Sequence, residues 1–215
     1  MSITATNEGG GNFQPLEAGT YPARCISMIH IGTVTEQIMG KDKTLNKVWI
    51  SWEIPTELKE FKQGEGEKPY VINEEFNLSM NEKATLRKFL ESWRGKQFTD
   101  DEAKSFDVTK LLGVPCMVSI VHKTSAAGKT FAKISNVSPV MKGFTVPAQI
   151  NPSTELNYDN FDGHLFESLP EFIRKKIESS IEYKKMMNNN ESFEFEKEQL
   201  KQAENVNANN DDLPF

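Results

Sequence analysis

The apolar positions of this chain follow two different periods, and the places where one gives way to the other outline a fold. Gly19-Thr-Tyr-Pro-Ala-Arg-Cys-Ile-Ser-Met-Ile-His-Ile31 is β-branched and apolar through its second half and predicts a first strand, ended by Gly32. Residues 32–45 read as a loop carrying Lys41 and Lys43. Asn46–Ile54 then alternates strictly. Val48, Ile50, Trp52 and Ile54 share the face expected in the core, while Trp49, Ser51 and Glu53 share the other, and Pro55 stops the strand. A charged connection over 56–69, with Gly64 and Gly66, leads to a third strand expected near 70–79. Its inward residues are Ile72, Phe76 and Leu78, with Tyr70 at the same parity.

From residue 79 the period becomes helical. Ser79-Met-Asn-Glu82 has the form of a capping box. Leu86, Phe89, Leu90 and Trp93 follow at i, i+3, i+4 and i+7, one apolar stripe closed by Gly95. Thr99-Asp-Asp-Glu102 repeats the box and predicts a short helix through Phe106 and Leu112, ending at Gly113. Both helices read as caps on a core. Pro115–His122 and Thr130–Val137 are two further strands, joined by Lys123-Thr-Ser-Ala-Ala-Gly-Lys129. That connection is a hairpin loop with a lysine at each shoulder and glycine at its tip. Residues 141–165 show no period. Ser168-Leu-Pro-Glu171 predicts the cap of another helix, with Leu169, Phe172, Ile173, Ile177 and Ile181 at helical spacing. From Asn188 the chain is Asn- and Glu-rich and reads as a largely disordered acidic arm.

Three strands, a helical insertion and a two-strand hairpin make a mainly β fold with helical insertions. The order matches the five-stranded OB-fold barrel, which binds oligonucleotides on strands 2–3 and the flanking loops. Other five-stranded barrels and α+β sheets share that order. The expected organisation is a flexible lead-in (1–12), an OB-fold nucleic-acid-binding domain (13–145), a C-terminal helical extension (146–187) and a disordered arm (188–215). The stretch from Gly19 to Val140 also resembles a phage-encoded family of OB-fold single-stranded-DNA-binding proteins. The similarity is carried by Asn46-Lys-Val-Trp-Ile-Ser-Trp-Glu, by Phe76-Asn-Leu-Ser-Met-Asn-Glu-Lys-Ala-Thr-Leu-Arg-Lys-Phe-Leu, and by Leu112-Gly-Val-Pro-Cys through Thr130-Phe-Ala. It runs on to about residue 185 and implies the fold and a general role on single strands.

Charge at first argues against a polyanionic partner, because the chain of 215 residues carries a net −6. Its distribution changes that picture. Residues 1–150 hold 18 Lys+Arg against 17 Asp+Glu, whereas residues 151–215 hold 7 against 14. A near-neutral body can still present a basic face to phosphates. Mean hydropathy of −0.54 fits a modest core with polar segments. There is no apolar run long enough to span a bilayer, so no membrane partner is expected. Met1-Ser-Ile-Thr-Ala-Thr-Asn-Glu lacks the basic and apolar regions of a secretory signal. A bacterial host cytosol is the expected location. Cys25 and Cys116 read as buried thiols there, with a bridge between them left open.

The chain ends in Asp211-Asp212-Leu213-Pro214-Phe215. Two carboxylates, a short apolar run and the terminal carboxylate suit a basic-rimmed hydrophobic pocket, a known mode of C-terminal recognition. This tip resembles that of bacterial single-stranded-DNA-binding proteins, which ends in acids followed by Ile or Leu, Pro and Phe. It departs in having Asn209-Asn210 where more acids are common. The resemblance implies recruitment of host or phage replication and repair proteins.

Single-strand binding needs cations along the phosphates and aromatic faces for the bases. Trp49, outward on strand 2 beside Lys47, is the leading stacking candidate, against packing beneath the C-terminal helix or at a dimer contact. Phe131 shares a face of strand 5 with Lys133, with barrel core as the equal alternative. Lys41, Lys43, Lys123 and Lys129 belong to the two loops that would flank an OB groove. Arg87, Lys88, Arg94 and Lys96 form a second basic group, better explained as a solvated helix face.

No catalytic constellation, cofactor or metal site is expected. His30, His122 and His164 have no ligand spacing with each other or the cysteines. Gly128-Lys129-Thr130 ends like a P-loop, but Lys123 stands where that motif needs glycine and a strand follows. The expectation is a non-enzymatic single-stranded-DNA-binding protein that coats strands and recruits enzymes through its tip. The alternative is an interaction module that competes for host replication and repair proteins without binding DNA. Homo-oligomerisation stays open.

Overall fold

The computed structural model describes residues 15–61 and 63–189. Its strands are β1 (Gly19–Ile38), β2 (Lys41–Glu60), β3 (Glu67–Asn77), β4 (Pro115–Thr124), β5 (Thr130–Ser138) and β6 (Thr154–Leu156). Helices α1 (Thr85–Arg94) and α2 (Asp100–Lys104), with a 3₁₀ turn at Val108–Leu111, lie between β3 and β4; α3 (Gly163–Ser168) and α4 (Glu171–Ser179) follow β6. Residues 181–189 are helical too, and nearly all of the arm expected from 188 lies outside the described residues. No described helix is long and apolar enough to cross a membrane.

The fold is mixed but mainly β. Its six-stranded sheet has the order β3-β2-β1-β4-β5, with β6 beside β1. β4 pairs antiparallel with β1 and β5, and β6 joins β1 in parallel. The sheet is not closed into a barrel: among the described residues no backbone pairing joins β3 to β5. The mainly β class with helices after β3 is as expected, and where a five-stranded OB-fold barrel was expected the sheet has six strands and is not closed. β6 gave no signal in the sequence because three residues are too few to show alternation.

The first two strands are also longer than expected. Gly32 does not end β1; it sits inside the strand at φ +92°, and β1 continues to Ile38. Pro55 likewise lies within β2. The expected loop over 32–45 is therefore a tight hairpin, turned by Met39 (φ +52°) and Gly40 (φ +75°). Two successive positive φ values match the type I′ turn, whose twist suits a β-hairpin.

Two compact units divide the chain, with boundaries inside β1, β2, β3 and α1 and at the start of β6. One comprises the chain up to Ile26, Ser51–Glu74 and Arg87–Ser153. Here β1 pairs with β4 from Gly19 opposite Ile120 to Arg24 opposite Pro115. Trp52 is fully buried, its ring 5.5 Å from Phe89 and 5.8 Å from Trp93. The α1 stripe is thus inward as its period predicts, with Leu86, Leu90 and Trp93 buried. The second capping box is real: Thr99 Oγ1 accepts from Glu102 N–H and the Glu102 carboxylate accepts from Thr99 N–H. The helix it opens ends at Lys104 and does not run through Phe106 and Leu112. Cys25 and Cys116 are buried free thiols, and burial pushes the Cys116 thiol far up.

Two charged side chains, Glu53 and Arg24, hold the irregular segment before β6 within this unit. Glu53 is fully buried, accepting from Ile150 N–H (2.7 Å), Asn151 N–H (2.8 Å) and the Asn151 side chain (2.6 Å). The Arg24 guanidinium donates to the carbonyls of Gly113, Val146 and Pro147. Three donors satisfy a carboxylate that burial alone would penalise.

The other unit comprises Ser27–Ile50, Glu75–Leu86 and the chain from Thr154. Ile29, Ile31, Val34, Leu156, Phe166, Ile173 and Ile177 form its core, and Trp49, Tyr158, Phe161 and Tyr183 pack against it. α4 buries Ile173 and Ile177 and leaves Phe172 exposed. Its expected cap is corrected: Pro170 is the N-cap, and the Ser168 hydroxyl donates to Leu165 C=O at the end of α3. Ser79 also opens no helix. Its Oγ accepts from Asn81 N–H, Asn81 Oδ1 accepts from Lys83 N–H, and α1 begins only at Thr85. Short polar side chains capture local amides in turns as readily as at caps.

Candidate nucleic-acid interface

The β4–β5 hairpin carries four of the side chains nominated on nucleic-acid grounds: Lys123, Lys129, Phe131 and Lys133. Its loop is tight: Ser125 C=O accepts from Gly128 N–H (2.9 Å), and Ser125 Oγ accepts from Lys129 N–H (3.1 Å). Gly128 takes φ +76°, which a side chain would resist. Beyond this turn Thr124 pairs with Thr130, Lys123 with Phe131, and Val121 with Lys133. Residues two apart in a strand share a face, so Lys123, Phe131 and Lys133 lie on one surface. Phe131 is 42% exposed, which decides against ordinary core for this ring. Lys123 and Lys129 are exposed as well. Lys133 makes an ion pair with Glu74 of β3 at 3.1 Å, a half-exposed contact of the kind worth about 0–1 kcal/mol.

The end of the β1–β2 hairpin carries the second pair of cations. Lys41 and Lys43 open β2 and share one of its faces, both exposed, beside the 99% exposed Met39. They stand on a strand, not in the loop expected for them.

Lys47 and Trp49 are engaged within their own unit. Lys47 is 6% exposed, with its ammonium on Glu75 Oε1 at 2.7 Å and on Glu36. Lys176 completes the cluster, 2.6 Å from Glu75 and 3.5 Å from Glu36. Burial depresses the Lys47 pKa, but the hydrogen bonds and charges of Glu36 and Glu75 outweigh it and raise it overall. Burial likewise works to raise the Glu75 carboxyl, and Lys176 and Lys47 bring it below the ordinary carboxylate value. The Lys47 charge is therefore committed to two carboxylates rather than offered to phosphate. The Trp49 ring is half-buried and meets Phe172 edge-on, centroids 5.5 Å apart. This is the packing beneath the C-terminal helix that its outward parity left open.

Of the eight residues nominated on nucleic-acid grounds, Lys123, Lys129, Phe131 and Lys133 fall in one unit, and Lys41, Lys43, Lys47 and Trp49 in the other. Sequence reasoning missed Glu74, Glu36 and Glu75, because carboxylates distant in sequence give no local sign of which lysine they meet. It also missed Phe61, 40% exposed, whose ring lies 6.0 Å from that of Tyr70. Tyr70 is buried, as its parity with Ile72 and Phe76 predicts. The lead-in and the tip Asp211–Phe215 lie outside the described residues. Among the described residues, no three His, Cys, Asp or Glu side chains gather as a metal site. Compared with known families, the chain matches no family model, and no curated protein matches it.

Proposed function

We propose that this chain is a non-enzymatic single-stranded-DNA-binding protein of phage type, acting in replication or recombination in a bacterial cytosol. The observation that carries this reading is the exposed Phe131 on a hairpin with Lys123, Lys129 and Lys133. A base has a π-face whatever its identity, so an aromatic ring flanked by cations favours single strands without strong sequence preference. The strand order supports a partly open OB-like arrangement, with β3 and β5 as its edges and the Lys133–Glu74 ion pair crossing from one to the other. The resemblance of Asp211–Phe215 to the tips of bacterial single-stranded-DNA-binding proteins supports recruitment of replication and repair enzymes.

A second reading has its own support. Lys47 is committed to Glu36 and Glu75, Trp49 packs against Phe172, and Lys133 meets Glu74, so three of the eight nominated side chains already have partners. An interaction module that uses only the tip would look the same there. Fluorescence anisotropy of labelled oligo-dT at low salt separates the two. Binding that weakens as salt rises supports the DNA-binding reading, and unchanged anisotropy supports the module.

A further inference from the structure

The outward face of β2 leads to an aromatic ring on α4 that helical spacing assigns to the core. Lys41, Lys43, Leu45, Lys47 and Trp49 stand two residues apart, so they share that face, all within one compact unit. Trp49 ends the run and meets Phe172 edge-on, and Phe172 belongs to the same unit. α4 buries Ile173 and Ile177, while Phe172 lies off that inward face and is 54% exposed, more than Phe131. A single exposed apolar side chain is ordinary. This one is braced by a second ring and has cations about it. Lys175 and Lys176 follow it at i+3 and i+4, on its own side of the helix. Lys176 is held by Glu75 and Glu36, and Lys175 meets Glu171 in an exposed contact at 2.6 Å. Lys41 and Lys43 are exposed at the far end of the same β2 face. Six residues separate Lys43 from Trp49, about 20 Å along the strand.

We infer that Phe172 is a second base-stacking platform for single-stranded DNA, with Lys41 and Lys43 meeting phosphates of the same strand. It takes the role that parity gives to Trp49, whose half-buried ring instead holds Phe172 in place. That contact restrains the ring before a base arrives and so lowers the ordering cost of binding. The exposed lysines on the same face favour a polyanion over an uncharged apolar partner. A duplex keeps its bases stacked on one another and offers Phe172 no free face, so the site selects unpaired strands. The inference rests on the single-stranded-DNA reading and needs no contact at the β4–β5 hairpin.

The test uses the full-length chain in two ways. Photoreactive benzoylphenylalanine is placed at position 172 and irradiated with labelled oligo-dT. A crosslink to the oligonucleotide is expected, with a yield that falls when Lys41→Ala and Lys43→Ala are combined. Separately, Phe172→Leu keeps an apolar side chain against Trp49 but has no aromatic face. Its affinity for oligo-dT should fall about five- to hundredfold, while Phe172→Tyr should bind as the parent does. Thermal melts confirm that both variants fold, and the crosslink decides if the Leu variant does not. A parent that binds no oligo-dT overturns this inference together with the reading it rests on. A parent that binds oligo-dT, gives no crosslink from position 172 and is indifferent to Phe172→Leu overturns the inference alone. So does a Leu variant altered only in its sedimentation, which would make Phe172 a contact between copies.

Discussion

Lys123 and Phe131 are direct partners across β4 and β5, a cation and a 42% exposed aromatic ring side by side on one face of a hairpin. Directly opposed residues bring their Cβ atoms within about 4.5–5.5 Å. A base laid on this ring would have its phosphate within reach of the ammonium. Phe131→Ala is therefore expected to leave the melting temperature nearly unchanged and to weaken oligo-dT binding by about 1–3 kcal/mol, the usual worth of a base on an aromatic ring. Unchanged affinity would remove Phe131 from the interface.

The two tryptophans of β2 differ in depth. Trp52 is fully buried against Phe89 and Trp93, so Trp52→Ala should destabilise the protein by roughly 3–5 kcal/mol. Trp49→Ala removes a half-buried ring and its edge contact with Phe172, and should cost less, on the order of 1–2 kcal/mol. Denaturant melts of both variants check the ranking. A Trp49 variant as stable as the parent would mean that its ring does not pack as described.

The Lys47 cluster gives stability a defined pH dependence. Glu75 has a folded pKa below its ordinary 4.5, so its contribution is complete above that value and is lost as pH falls through the depressed one. Lys47 has a folded pKa above 10.5, so its contribution is complete below that value and is lost as pH rises through the elevated one. Lys47→Met should cost about 1–3 kcal/mol at neutral pH. That is less than the roughly 3–5 kcal/mol of a fully buried pair, because Glu36 and Glu75 keep some solvent and Lys176 remains. The variant should also lose less stability on acidification than the parent. Urea melts between pH 3 and 7 test this, and parallel pH profiles would contradict it.

Alternation and helical period carried most of the fold. They separated Val48, Ile50, Trp52 and Ile54 from Trp49, Ser51 and Glu53, and they placed Leu86, Leu90 and Trp93 inward. What parity could not reveal was that the second face of β2 is covered as well, with Ser51 and Glu53 buried. Local breakers misled at Gly32 and Pro55. Gly32 is required by crowding: a Cβ there would lie 2.8 Å from both the Glu182 carboxylate and the Tyr158 hydroxyl. The glycine marks close packing inside a strand, not the strand's end. In the candidate interface, Lys123, Lys129 and Phe131 were legible because a hairpin loop is a local pattern. The commitment of Lys47 was not, because its carboxylates come from β1 and β3.

Removing residues 211–215 should separate DNA binding from recruitment. The truncated protein should keep its oligo-dT affinity and lose pull-down of host replication and repair enzymes, since Asp211, Asp212 and Phe215 supply the acidic and apolar parts of the docking peptide. Loss of DNA binding with partners retained would reverse the assignment.

Phosphate contact at the β4–β5 hairpin would make oligo-dT affinity fall as salt rises. Each phosphate neutralised on a single strand contributes about 0.7 to the slope of log affinity against log salt. The parent should show a clear negative slope, and Lys123→Ala combined with Lys129→Ala should flatten it by about 0.7 for each lysine that contacts a phosphate. A slope unchanged in the double variant, or no binding by the parent at low salt, would rule out phosphate contact at Lys123 and Lys129.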